Sequence, residues 1–206
     1  MNRETQFLHN NQLLNRYYAA QGVKMFSLET WNLVIGEQGR ALVAQFINQI
    51  VGYYVAQMDS DNFGVREAAI HCMGELATRM PQELVRPHVD AMLQSLSTGF
   101  GDTSWPVRAA ACQVCGHFIM SFPEESKNML AAELYELCLE HIPDEIWSVR
   151  EAAAVAIVNL IRIYGEEVQE KVLDKMREML PMATQHVSTN AFHQAATKFS
   201  LEEKKK

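Results

Sequence analysis

Three sets of residues have types and spacings that could do chemistry. Cys112 and Cys115 form a Cys-x-x-Cys pair, the spacing of half a zinc site or of a thioredoxin-like redox motif. Seven histidines, His9, His71, His88, His117, His141, His186 and His193, could ligate a metal or move protons. Arg66, Arg108 and Arg150 recur at one interval and could grip a row of phosphates. Each set lacks the companions its chemistry needs. No second cysteine pair has zinc spacing, and no strand pattern leads into the Cys-x-x-Cys. No H-E-x-x-H, G-x-S-x-G or P-loop spacing occurs. Catalysis, a metal and a cofactor are therefore not expected.

The elements that carry these residues explain them better. Residues 63–83, 105–125 and 147–167 align without a gap at a period of 42. Val65, Val107 and Val149 share a column, as do the three arginines. Two adjacent columns are all alanine: Ala68, Ala110 and Ala152, then Ala69, Ala111 and Ala153. Phe63, Trp105 or Trp147 stands two residues before each valine, and Glu83, Glu125 or Glu167 closes each unit. Apolar residues recur within a unit at steps of three and four, the period of one helix face. A preceding helix keeps the register, with Leu42, Phe46, Ile47, Ile50, Val51 and Tyr54 aligned with Leu84, His88, Val89, Met92, Leu93 and Leu96. Each unit reads as two antiparallel helices, and Pro81 and Pro123 mark breaks between units. Cys112 and Cys115 then share columns with Ile70 and Met73 and with Ala154 and Ile157. Packing as small apolar side chains is their favoured reading.

The organisation that follows has a degenerate N-terminal helix pair at 1–37 and repeats at 38–80, 81–122 and 123–164. A degenerate C-terminal repeat at 165–201 and a charged tail at 202–206 complete it. In the first pair Trp31 and Val34 fall in the Met73 and Leu76 columns; near the C-terminus Ala195 and Ala196 fall under Ala153 and Ala154. Neither end reads as a polar cap, so a partner or a longer array is expected to cover the ends. The fold class is all-α, a right-handed superhelical solenoid of about four to five helix pairs.

Composition narrows the function. The formal net charge is −7 and the pI about 5.5, which argues against non-specific nucleic-acid binding, since that needs a basic face. No apolar run is long enough to span a bilayer, so membrane insertion is not expected. The four cysteines lie in apolar helical patterns and read as reduced thiols, which places the chain in the cytoplasm or nucleus.

The pattern D-x-x-x-V-R-x-x-A-A, with one helix before it and one within it, resembles the HEAT-repeat family of armadillo-like helical arrays. The likeness is strong over residues 38–181 and weak elsewhere. The D-x-x-W-x-V-R form is similar to the turns of the protein phosphatase 2A scaffold subunit and, more loosely, of tubulin-binding TOG arrays. The resemblance implies that an aspartate six residues before each arginine joins neighbouring units in an Asp–Arg ladder. Asp102 and Asp144 match that position; Ser60 departs from it, although Asp59 and Asp61 flank it, which leaves the first rung open. Some family members are di-iron hydroxylases built on His-Glu dipeptides, but no histidine here precedes a glutamate.

Two surfaces are candidates for binding. Phe63, Trp105 and Trp147 start their helices beside polar turns and could anchor a partner or simply cap the layer below. The resemblance implies that the second helices line a concave face. Its outward positions include His71, Glu75, His117 and Asn159, with His71 and His117 expected to be exposed. The expected function is a non-catalytic scaffold or adaptor that binds one or more proteins, within a larger complex. The alternatives are a tubulin-binding TOG-like module and a regulatory subunit of an enzyme complex. Acidic turns count against the first alternative, which would want basic ones.

Overall fold

A computed structural model describes residues 14–17, 20–34, 38–130 and 134–186. The described residues are helical with no strand. The helices are α1 (Gln21–Val34), α2 (Gly39–Gln45), α3 (Ile47–Gln57), α4 (Phe63–Arg79), α5 (Gln82–Val85), α6 (Val89–Phe100), α7 (Trp105–Ser121), α8 (Pro123–Leu130), α9 (Leu134–Glu140), α10 (Trp147–Tyr164) and α11 (Glu166–His186). The side chains of Trp31 and Val34, the helix expected at 188–200 with Ala195 and Ala196, and the tail lie outside the described residues.

The long helices α4, α7 and α10 start and stop for local reasons. Asn62 N-caps α4, its side chain accepting the Gly64 N–H at 2.9 Å. Pro106 occupies the first turn of α7, where its missing N–H costs nothing. Before each helix one side chain folds the turn. Ser60 Oγ accepts from the Asn62 N–H at 3.3 Å, Asp102 Oδ1 from Ser104 at 2.8 Å and Asp144 Oδ1 from Ile146 at 2.9 Å. The stop column reads Pro81, Pro123, Gly165. The two prolines cannot extend the helix. Gly165 instead ends α10 at φ 73°, in the left-handed region, and its N–H donates to Ile161 O at 2.9 Å.

The first helix of the first and of the middle unit is broken in two, which differs from the expected simple pairs. In the middle unit Pro87 interrupts the ladder and a 3-10 turn, Arg86–His88, links α5 to α6. In the first unit Phe46, at φ −113° and ψ 19°, divides α2 from α3 without a proline.

The helices form two layers. α4, α7 and α10 pack side by side, with α3, α6, α9 and α11 against them. Ala69, Ala111 and Ala153 are each 0% exposed, and a Cβ on Gly99 of α6 would stand 3.2 Å from Ala111 Cβ, so the small column lets helices pack closely there. Glycine brings α4 and α7 closer still. A Cβ on Gly74 would stand 2.8 Å from Val114 Cγ2.

Candidate protein-interaction surfaces

The ladder fixes how one unit sits on the next. Arg66 Nε donates to Asp102 Oδ2 at 2.7 Å and its NH2 to Oδ1 at 2.9 Å. Arg108 repeats this fork on Asp144 at 2.8 and 3.2 Å. The third nitrogen of each arginine binds the turn before its own helix: Arg66 to Ser60 O at 2.6 Å, Arg108 to Asp102 O at 2.9 Å and Arg150 to Asp144 O at 2.6 Å. Burial works against the Asp102 carboxylate, yet the Arg66 hydrogen bond, the Ser104 N–H and the nearby arginine charges hold its pKa below the ordinary value. Asp144 is held low in the same way by Arg108, the Ile146 N–H and His141, against burial.

Arg150 departs from the expected ladder. Its Nε is buried with no hydrogen-bond partner among the described residues. The column that supplies Asp102 and Asp144 continues at His186, which is no carboxylate. At the other end the columns read Lys24 and Ser60, so no acid–arginine rung forms there either. Ser60 keeps the turn, because a hydroxyl can accept the N–H, but it cannot neutralise an arginine.

The rim aromatics are in reach of a partner. Phe63 and Trp105 are each 46% exposed and Trp147 42%. All three are the first residues of adjacent packed helices, so they lie along one edge at one step per unit. The Arg150 guanidinium carbon is 5.5 Å from the centre of the Trp147 ring, within cation–π range. Each ring therefore both shields its layer and presents an open part.

The concave candidates are less free than expected. His71 and His117 are half-buried rather than exposed. The Tyr17 ring stacks on His71 at 5.5 Å and 21°. Glu75 is held by Arg16 NH2 at 2.6 Å and, along its own helix, by Arg79 at 3.3 Å. Leu14, 2% exposed, anchors this N-terminal stretch in the core. Burial, with His117 and Lys24 nearby, lowers the His71 pKa, and burial alone lowers that of His117. His117 Nδ1 is buried without a partner. Asn159 lies over Gly116, its Nδ2 only 3.0 Å from where a Cβ would stand. Arg16 and Tyr17 carry no repeat signal, which is why sequence columns pass over them.

Further contacts tie successive units together. Tyr164 Oη donates to Pro123 O at 2.7 Å, Gln82 Nε2 to Ser121 O at 2.9 Å, and Arg86 pairs with Glu125. Buried His141 sets its ring nitrogens 2.8 Å from Phe100 O and from Leu137 O. All four cysteines are buried and none is in a disulfide. Burial pushes the Cys72 thiol up to about 12 and Cys112 well above the usual range, where a thiolate is suppressed. No group of three metal-ligating side chains occurs among the described residues. A cleft of about 270 Å³ between α8, α9, α10 and α11 is lined by Tyr135, Tyr164, Lys127 and Lys171 with Glu124 and Glu167.

No protein-family description and no curated protein matches the chain. Solved structures do. The designed armadillo repeat protein YIII(Dq)4CqI is 17% identical at a TM-score of 0.60, over 91% of this chain and 78% of that one. A second, YIII(Dq.V1)4CPAF, solved in complex with peptide (KR)4, is 14% identical at 0.60, over 93% and 97%. The complex of CpcE and CpcF of phycocyanin lyase from Nostoc sp. PCC7120 is 20% identical at 0.50, over 84% and 98%. The chain shares the armadillo/HEAT-like helical-repeat fold with these proteins.

Proposed function

We propose that this protein is a non-catalytic scaffold or adaptor of the cytoplasm that holds a partner protein along its aromatic rim. The observation that carries the reading is the row Phe63, Trp105, Trp147, close to half exposed at every step although each is a large ring. Such rings bury much apolar area on binding and lose little conformational freedom. One of the fold relatives holds a peptide, so the architecture suits such work. Four buried cysteines, none in a disulfide, fit a reducing compartment. No helix among the described residues is long and apolar enough to cross a membrane. A regulatory subunit of an enzyme complex is the same reading with an enzyme as partner. The tubulin-binding alternative is disfavoured, because the arginines of these segments, Arg66, Arg108 and Arg150, are engaged with their own turns.

The experiment is affinity purification and mass spectrometry from the native cell, with Trp105→Ala/Trp147→Ala beside wild type. Capture of the main partner should fall at least about tenfold while helicity by circular dichroism holds, a loss of about 1.4 kcal/mol or more. Unchanged capture would move the contact surface away from the rim.

A further inference from the structure

The rim carries a charge pattern that specifies its partner more closely. Around the three rings, residues 57–68, 99–110 and 141–152 hold the carboxylates Asp59, Asp61, Glu67, Asp102, Asp144, Glu145 and Glu151, and no cation but the three arginines and His141. The ladder consumes Asp102 and Asp144 together with Arg66 and Arg108. Arg150 is turned inward onto backbone carbonyls and the Trp147 ring. Asp59, Asp61, Glu145 and Glu151 are exposed and make no ion pair among the described residues. The ladder and these inward contacts thus engage all three arginines and leave unpaired carboxylates beside Phe63 and Trp147, while the one carboxylate beside Trp105, Asp102, is consumed. The faces of such rings attract cations, as Trp147 already does from within.

We infer that the rim docks an extended, basic protein segment, with lysine or arginine side chains laid over Phe63, Trp105 and Trp147, the outer two paired with Asp61 beside Phe63 and with Glu145 and Glu151 beside Trp147. This rests on the rim being the contact edge. Helices packed side by side lie about 9 Å apart, and an extended chain advances about 3.3 Å per residue. One cation at about every third residue therefore meets one ring per unit.

The test uses the full chain and a nine-residue peptide with arginine at every third position and serine elsewhere. A counterpart carries glutamate at those positions. Titration calorimetry should detect the arginine peptide alone, and raising salt from about 50 to about 300 mM should weaken it several-fold. Two variants should each lower affinity about tenfold with helicity intact. One is Trp105→Ala/Trp147→Ala. The other, Asp61→Asn/Glu145→Gln/Glu151→Gln, leaves the rings in place. Equal binding of the two peptides, no binding of the arginine peptide, or indifference to the charge-neutral variant would overturn the inference. If native capture still depends on Trp105 and Trp147 while the arginine peptide fails, the rim stands as the contact edge and only the basic segment falls.

Discussion

α7 is flanked on both sides by helices of its own kind, α4 and α10, whereas among the described residues α1 touches the other helices only sparsely. The difference shows in the side chains. On α7 Ala111, Val114, Cys115, Phe118 and Ile119 are all sealed. On α1 Phe26 is 66% exposed and Leu33 87%. A repeated helix has its neighbours' shapes written into its own columns, so a small residue in one unit answers a small residue in the next. α1 lies outside those repeated columns, and among its described side chains only Ser27 is buried. What secures the N-terminal stretch is a few individual contacts, Leu14, Arg16 and Tyr17 on the flank of α4. Stability in an array is a sum of unit and interface terms, so the interior and this flank should respond very differently to substitution.

The largest effect is expected at the seam. Ala111→Asp would bury an unpaired charge at a position with no free volume, beside Gly99 and α4. The expected cost is about 4 kcal/mol or more. Thermal melting should show collapse of the cooperative transition, and a melting temperature within a degree or two of wild type would refute the packing register.

Next comes the ladder. Arg108→Ala leaves the Asp144 side chain, only 9% exposed, without its cation, and should cost about 2–3 kcal/mol. Arg150→Ala deserts no carboxylate and should cost about 1 kcal/mol. Urea unfolding of both variants measures the contrast; equal losses would mean that the rungs are dispensable. The same rungs set an acid limit. A carboxylate with a lowered native pKa contributes fully above the ordinary aspartate value, near pH 4. The contribution disappears as pH falls through the lowered native values of Asp102 and Asp144. Arg108→Ala should therefore flatten the stability loss between about pH 4 and pH 2.

The contrast between interior and flank also explains what could be read from residue order. The three-unit core, the two aspartate rungs and the rim were legible because close packing forces the same residue type at every period of 42. The breaks in the first helices were legible only at Pro87, since Phe46 ends α2 by its backbone geometry alone. His71 and His117 were misread as open. Their own helix does leave them outward, and what covers His71 is Tyr17, a residue outside the period. A column comparison is blind to any contact made once.

The flank predicts a smaller and local effect. Arg16→Ala/Tyr17→Ala should cost about 1 kcal/mol and speed hydrogen exchange in residues 14–34 and around His71 and Glu75, with α7 and α10 unaffected. Acid should act in the same direction. The His71 ring faces Tyr17, Lys24 and His117, with Arg16 and Glu75 alongside. Burial keeps its native pKa below the ordinary 6.5. The neutral ring's contribution is complete above that value and declines as pH falls from about 6.5 toward the lowered native value. Exchange that rises uniformly along the chain would mean that the flank unfolds only with the core.

The smallest effect tests the far end of the ladder. Arg150 keeps an Nε buried without an acceptor, and the column of Asp102 and Asp144 arrives at His186. His186→Asp would put a carboxylate in the sequence column that Asp102 and Asp144 occupy. The guanidinium is already fixed by its bonds to Asp144 O and Glu145 O at 2.6 and 2.9 Å, so a new pair has little side-chain entropy to lose on that side. The gain should be under about 1 kcal/mol, the scale of a solvent-accessible ion pair. It should vanish in an Arg150→Ala background, where nothing remains to pair. Urea unfolding of the four-membered cycle isolates that coupling. A gain that survives loss of Arg150 would come from the end of α11 itself, and no gain at all would mean that the column geometry changes past α10.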